Sequence, residues 1–444
     1  YGEYQENTRE AGIYTEHNFS YNNQYFLTLG LRQDFSSSIG VGAPNIIYPK
    51  TSFALRFDQY NWFPSKVLSL FKLRAAYGEN GQLPSVLDPI NFLWGATTGG
   101  YGAGATISNI GNTSIKPERI KEIEAGIETE FLRDFSIEFT YYTQNANNSI
   151  VYIRESPSSG LTDSDVPYNI GGVKNWGFET LLRTSLINSR DYRIDIGINL
   201  NYQNNKVTSL GGAEPIFDDA DVNVIKEGLP KHEFYTWKVL GAKFNPDGTY
   251  TGVNVTNERV DFGNPIPNYT GSMSINIKFL RNINLYILTD WAIKRKMFNY
   301  TRLFAARFGN VPEYNNLQAQ LGLTTNDPDI IRLTPGTSQY VEVANKYAKM
   351  DYRYKGNYIE DANFVKIREL GLSYELKNIL SGIGYNYIKD ITLGISVLNA
   401  WTLTNYSGAD VELNSLGSRS LTRGMDFSTL QHPRTYNFWV RVIL

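Results

Sequence analysis

The chain has 444 residues, with 42 basic and 44 acidic side chains, a net charge of −2 and no cysteine. Evenly spread, balanced charge excludes a nucleic-acid-binding basic patch, and the lack of cysteine excludes disulfide scaffolds, thiol catalysis and cysteine-bound metals. Mean hydropathy is −0.34, and the sequence has no apolar run of about 18 residues, so transmembrane helices are excluded, a test that does not reach membrane-spanning strands.

In chain order, the first strands are predicted at 13–21 and 25–32, around Asn22-Asn23, where Asn tolerates the positive φ of a tight hairpin. Strands at 52–60 and 70–77 follow, and then a Gly-rich stretch, 78–118, without a clear period. The next pair, 119–131 and 135–142, turns at 132–134, and 143–175 reads as a second long loop. The pair 178–186 and 192–202 is the clearest. Tyr192, Ile194, Ile196, Ile198, Leu200 and Tyr202 share one side, and Arg193, Asp195, Gly197, Asn199 and Asn201 the other.

A long loop, 205–266, is expected to carry a small hairpin near Asn245-Pro246-Asp247-Gly248. Strands at 269–279 and 283–291 come next, then a loop, 294–361, with a short helix near 315–321. Strands at 364–376 and 391–399, a loop at 404–434 and a final strand at 436–444 complete about thirteen spanning strands.

Period-two segments of about ten residues, with one apolar face, Tyr at the rims, short turns at one end and long loops at the other, are what a membrane-spanning barrel requires. Lipid satisfies no backbone polar group, so only helices or closed barrels span it. The fold class expected is all-β, a transmembrane antiparallel β-barrel in the outer membrane. Thirteen is odd, whereas bacterial barrels have even counts, and the chain starts at Tyr1 inside β-type sequence. It is therefore expected to be one part of a larger barrel.

Seven segments in order resemble the SusC/RagA-type TonB-dependent transporters of Bacteroidetes. They are Arg32-Gln-Asp-Phe-Ser36 with Ser38-Ile-Gly40; Phe71-Lys-Leu-Arg-Ala-Ala-Tyr-Gly78 with Asn80-Gly81; Asn112-Thr-Ser-Ile-Lys-Pro-Glu118 with Glu122-Ile-Glu-Ala-Gly126; and Asn169-Ile-Gly171 with Asn175-Trp-Gly-Phe-Glu179. The series continues with Tyr358-Ile-Glu-Asp-Ala-Asn-Phe-Val-Lys-Ile-Arg-Glu-Leu370, Tyr406-Ser-Gly408, and Gly424-Met-Asp426 to Pro433.

The resemblance implies that residues 1–444 are the C-terminal part, roughly 13 strands, of a 22-strand barrel, with the plug domain and TonB box outside this chain. It implies energy-dependent import of oligomeric nutrients, glycan or peptide, with no enzymatic activity and no cofactor. Its implied partners are a SusD-like surface lipoprotein, the TonB complex and outer-membrane lipid, with no nucleic acid. An alternative role for the same scaffold is a structural or protein-export component of the surface. The chain departs from the usual terminal Phe of such barrels by ending in Leu444.

No catalytic constellation emerges. His17, His232 and His432 are isolated, and the glycines of 99–104 lack the Lys-Ser/Thr of a phosphate loop. Asp219, Asp221 and Asn223 alternate as calcium ligands do, but without the central Gly and distant Glu, so a solvated loop is the simpler reading. Glu122, Glu124 and Glu128 line one inward face. Trp94, Tyr101, Tyr168, Phe304, Phe308 and Tyr314, all in expected outer loops, are the candidate ligand contacts, because sugars and peptide side chains stack on flat rings. Packing of loop against loop is the competing role for each.

Overall fold

The computed structural model describes residues 7–41, 46–90, 92–132, 134–154, 165–324, 329–376, 390–417 and 420–443. The chain divides into two compact units, the first mainly 1–185 with 197–215, the second mainly 230–444 with 186–196 and 216–225.

The first unit is a meander of long antiparallel strands. They are β1 (Glu10–Tyr21), β2 (Tyr25–Ser36), β3 (Ile47–Arg56), β4 (Leu68–Gln82), β5 (Glu118–Phe131), β6 (Phe135–Arg154), β7 (Asp165–Asn188) and β8 (Tyr192–Ser209), each neighbouring the next. Register places apolar rows across the strands. One runs Phe19, Leu27, Phe53, Ala75, Ala125, Tyr141, Phe178. The adjacent inward row runs Asn18, Thr28, Ser52, Ala76, Glu124, Tyr142, Gly177. Asn22 and Asn23 hold φ of 50° and 54°, as the β1–β2 turn requires.

The second unit carries β9 (Tyr269–Phe279), β10 (Ile283–Ile293), β11 (Phe364–Glu375), β12 (Asp390–Thr404) and β13 (Thr435–Ile443), again paired in sequence order. Its outward rows are wholly apolar: Ile275, Ile287, Leu370, Val397, Tyr436 in one, and Ile277, Leu285, Leu372, Ile395, Phe438 in the next. The row between them on the other face reads Asn276, Tyr286, Gly371, Ser396, Asn437. A one-residue slip would turn each apolar row inward, so the pattern itself fixes register. On the inner face Trp439 lies across Gly394, where any Cβ would meet the indole.

Three expectations need correcting. Residues 143–175 are not mainly loop: β6 reaches Arg154 and β7 begins at Asp165, paired through most of that length. Within 78–118, Phe92–Gly99 and Gly102–Ile110 form a hairpin. In 294–361 the short helix expected near 315–321 is α2 (Pro312–Gln320), but among the described residues it is joined by α1 (Tyr300–Arg307) and α3 (Ser338–Ala348).

Those helices belong to a packed loop domain within the second unit. The hairpin Val239–Phe244 with Tyr250–Val255 turns at Gly248, φ 83°. Tyr340, Val343, Ala344 and Tyr347 of α3 are buried in one core with Phe234, Val239, Val253, Phe298, Leu303 and Tyr358. Local capping starts the helices: Asn299 accepts from the Arg302 amide, Thr337 accepts from the Tyr340 amide, and Pro312 opens α2. Asn345 of α3 accepts the Ala242 amide at 2.9 Å, tying helix to hairpin.

Candidate functional site

Two surfaces concentrate polar and aromatic chemistry. The first is the inner face of β3 to β7. Glu128 is shared by Lys72 at 3.0 Å and Arg74 at 3.1 Å, and Arg74 also lies 3.9 Å from Glu124. On the same face Glu16 of β1 pairs with Lys50 at 2.8 Å across Gly30. Glu122 instead accepts from the Gln144 amide at 3.0 Å, which in turn accepts from Asn175 at 2.9 Å. Lys50, Ser52, Ala76, Tyr77, Glu122 and Glu124 border a hollow of about 260 Å³. Of the three inward acids expected from sequence, Glu124 and Glu128 meet cations and Glu122 meets an amide.

The second surface is the loop domain. Tyr300, Phe304 and Phe427 meet with ring centroids 4.8–4.9 Å apart, and Phe308 stands 5.7 Å from Phe304 with 66% of its surface exposed. Tyr314 lies inside, 2% exposed, stacked on Tyr347 at 5.1 Å, and burial raises its phenol well above the ordinary range. Tyr101 sits fully exposed at the tip of the 92–110 hairpin, and Tyr168 is half-buried on β7. The backbone of Trp94 is strand, and its side chain lies outside the described residues. Sequence thus named six aromatics, but only Phe304, Phe308 and Tyr314 fall in this loop domain. Tyr300 and Phe427 complete the ring cluster with Phe304 and were not singled out.

The alternating acids at 218–223 form a closed turn. Asp218 is buried and accepts the Val222 and Asn223 amides at 2.7 and 2.9 Å and the Thr422 hydroxyl at 2.7 Å. Asn223 is fully buried, donating to the His232 carbonyl and accepting from the Arg423 amide. Asp221 pairs with Arg259 at 2.8 Å, whose guanidinium is stacked 4.1 Å from both Phe217 and Trp237. Asp219 alone points to solvent.

A buried charge network, which no local sequence signal announced, lies where loop 405–434 meets β11. Lys366, 2% exposed, reaches Asp410 at 2.7 Å and Glu412 at 2.6 Å. Arg368, at the β-bulge, joins Asp290 at 2.7 Å and Glu412. Asp410 also accepts from His432 at 2.8 Å. These cations hold the Asp410 and Glu412 carboxyls below the usual range against the opposing effect of burial. Asp410, Glu412 and His432 approach one another within 4.8 Å as metal ligands could, yet two protein cations already neutralise the pair of carboxylates.

A family profile described as "TonB dependent receptor-like, beta-barrel" matches residues 1–287. The chain belongs to that family. It is 22% identical to TonB-dependent receptor P3 of Formosa agariphila, over 98% of this chain and 45% of the relative, and 21% identical to TonB-dependent receptor SusC of Bacteroides thetaiotaomicron, over 92% and 42%. It therefore spans a little under half the length of the curated relatives it matches. Among solved structures, the RagAB peptide transporter superposes with a TM-score of 0.77 at 17% identity, covering 98% of this chain and 48% of that one. The all-β barrel class and the SusC/RagA resemblance read from the sequence agree with these matches. The outward apolar rows are accordingly the lipid-facing wall, and the polar face is the lumen.

Proposed function

We propose that this chain forms the C-terminal wall and outer loops of a TonB-dependent outer-membrane importer of oligomeric nutrients, glycan or peptide, working with a SusD-like surface lipoprotein. The observation that carries the reading is the barrel-family match joined to a polar lumen wall and a loop domain with its own packed core. Cargo is held between the outer loops and the lipoprotein, and is released inward when TonB pulls on the plug. Phe308, Phe304 and Tyr101 are the ring surfaces that contact cargo, and Tyr168 and Trp94 extend that surface. Tyr314 braces α2 from within. Asp219, Asp221 and Asn223 shape their loop without binding metal, and no residue here performs catalysis.

Deleting the gene should abolish growth on one class of oligomer, glycan or peptide, as sole nutrient, and the same loss should follow deletion of the TonB-complex genes. Affinity purification of the intact receptor should bring down a surface lipoprotein. Unimpaired growth on every oligomer, together with loss of a surface-exported protein, would instead identify a structural or export role.

A further inference from the structure

A cavity of about 570 Å³ lies beside the upper end of β12. Pairing of β12 with β13 ends at Leu398–Thr435, so residues 399–404 of β12 run on without that neighbour. The returning loop closes over this edge: the Asn399 amide donates to the Pro433 carbonyl at 3.0 Å, while Gly408, Gln431, His432 and Arg434 form the far side. The volume falls in the ordinary range for a small-ligand site.

The charges around it do not cancel. Lys366, Arg368 and Arg295 face Asp410, Glu412 and Asp290, three against three, and their pairings were given above for the first two cations. Arg295 donates to the Pro265 and Val411 carbonyls and feels both Glu412 and Asp410. One cation on the cavity wall, Arg434, stands outside that balance. Arg434 meets no carboxylate among the described residues; its one polar contact is a long one, 3.5 Å, to the Asn399 carbonyl. His432 gives Nδ1 to Asp410, which leaves Nε2 unbonded.

The outer wall is apolar. The bulge at Arg368 and at 399–400 keeps Trp401 opposite Ile367 and Leu403 opposite Val365, on the same outward face as Ile395 and Val397. Trp401 and Leu403 are 65% and 64% exposed. A Trp at the upper margin of a lipid-facing wall marks the membrane–water interface.

We propose that this notch binds the phosphate-bearing sugar headgroup of an outer-leaflet glycolipid. Arg434 takes the phosphate through charge-assisted hydrogen bonds, His432 Nε2 and Gln431 take sugar hydroxyls, and the Trp401 indole stacks on the sugar ring. The acyl chains then descend along Val397 and Ile395. A soluble anion would use the same cation but would gain nothing from the apolar wall, which is why the lipid is the occupant assigned. The inference rests on the barrel assignment and not on the cargo.

The test uses the intact receptor, purified in detergent, delipidated and incubated with bis-phosphorylated lipid A or its dephosphorylated form, with retention counted by native mass spectrometry. The phosphorylated lipid should be retained at least tenfold more. Arg434→Gln and Trp401→Ala should each cut retention about tenfold, Arg434→Lys should keep most of it, and 10 mM inorganic phosphate should not displace the lipid. Equal retention of the two lipids overturns the proposal, as does an unaffected Arg434→Gln receptor whose heat-modifiable gel mobility shows a folded barrel. Displacement by phosphate with Trp401→Ala neutral also overturns it, in favour of a soluble-anion site. The two-lipid comparison on unaltered receptor decides even if a variant fails to assemble.

Discussion

Replacing Lys366 by Met removes the cation that pairs directly with both Asp410 and Glu412. Lys366 is 2% exposed and lies 2.7 and 2.6 Å from the two carboxylates. Met preserves the stem volume, so packing is nearly conserved and the loss is electrostatic. Glu412 keeps Arg368, and Asp410 keeps the His432 side chain, which is half in solvent, and the Glu412 and His432 amides. Breaking a buried pair from one side typically costs about 3–5 kcal/mol. The lower end applies here, about 3 kcal/mol, because each acid keeps other partners.

The loss should fall on loop 405–434, since Lys366 sits on the strand wall and both acids on the loop. Hydrogen exchange of 405–417 in the intact receptor should therefore speed up about a hundredfold, one decade per 1.4 kcal/mol. Adding Asp410→Asn should recover part of it. The pH dependence has a definite sign. Both carboxyls are held below their ordinary values in the folded loop, so their stabilisation is complete above about pH 4.5 and is lost as pH falls below it. The Met variant should show a shallower acid limb. Unchanged exchange in 405–417, or an unchanged acid limb, would refute the account of this network.

Three further outcomes are expected. Arg at lipid-facing Leu372 should destabilise the folded barrel by about 2–4 kcal/mol near the midplane, while Arg at lumen-facing Ser373 should cost little, as read from urea unfolding in lipid vesicles. Gly394→Val should force Trp439 off its place on the inner face, costing about 1–3 kcal/mol and altering tryptophan fluorescence. In the loop domain, burial lowers His232 to about 4 and raises Glu233, beside Asp261, to about 8. His232 should therefore withdraw stability as pH falls from 6.5 towards 4, and Glu233 as pH rises from 4.5 towards 8. Hydrogen exchange at 233–236 should lose its acid limb in His232→Gln and its alkaline limb in Glu233→Gln; retention of both limbs in both variants would contradict the assignment.

The thirteen strands were legible because lipid imposes a strict rule: every second residue from Tyr269 to Phe279, or from Tyr436 to Val442, must be apolar where the wall meets acyl chains. Above the membrane that rule lapses. The upper halves of β6 and β7, with Asn145, Asn147, Asn148, Ser149 and Gly171, keep their ladder but carry polar residues and glycine on both faces, so their period-two signal fades and the sequence reads as loop. The loop domain failed to announce itself for another reason. Its core joins Phe234, Val253, Leu303 and Tyr347, each apolar residue standing in a polar local context, and only the fold collects them. The Lys366 network is the limiting case: its partners are 44 and 46 residues away, so no spacing rule could pair them.

The same contrast decides which candidate aromatics can move. Cargo binding under a lid requires surfaces that re-form on each cycle, yet ring clusters inside a packed core are fixed by close contact on all sides. Tyr314 is enclosed by Tyr347 and Tyr352 and shares a hydroxyl contact of 3.1 Å with Tyr347. Its truncation would loosen α2 against α3 before it altered any cargo contact. Phe308, past the end of α1 and held on one side by Phe304, can be truncated without opening that core. Phe308→Ala should therefore weaken cargo binding at least as much as Tyr314→Phe while leaving exchange of α3 amides unchanged. Faster α3 exchange in Phe308→Ala would place that ring among the structural aromatics and remove it from the binding surface.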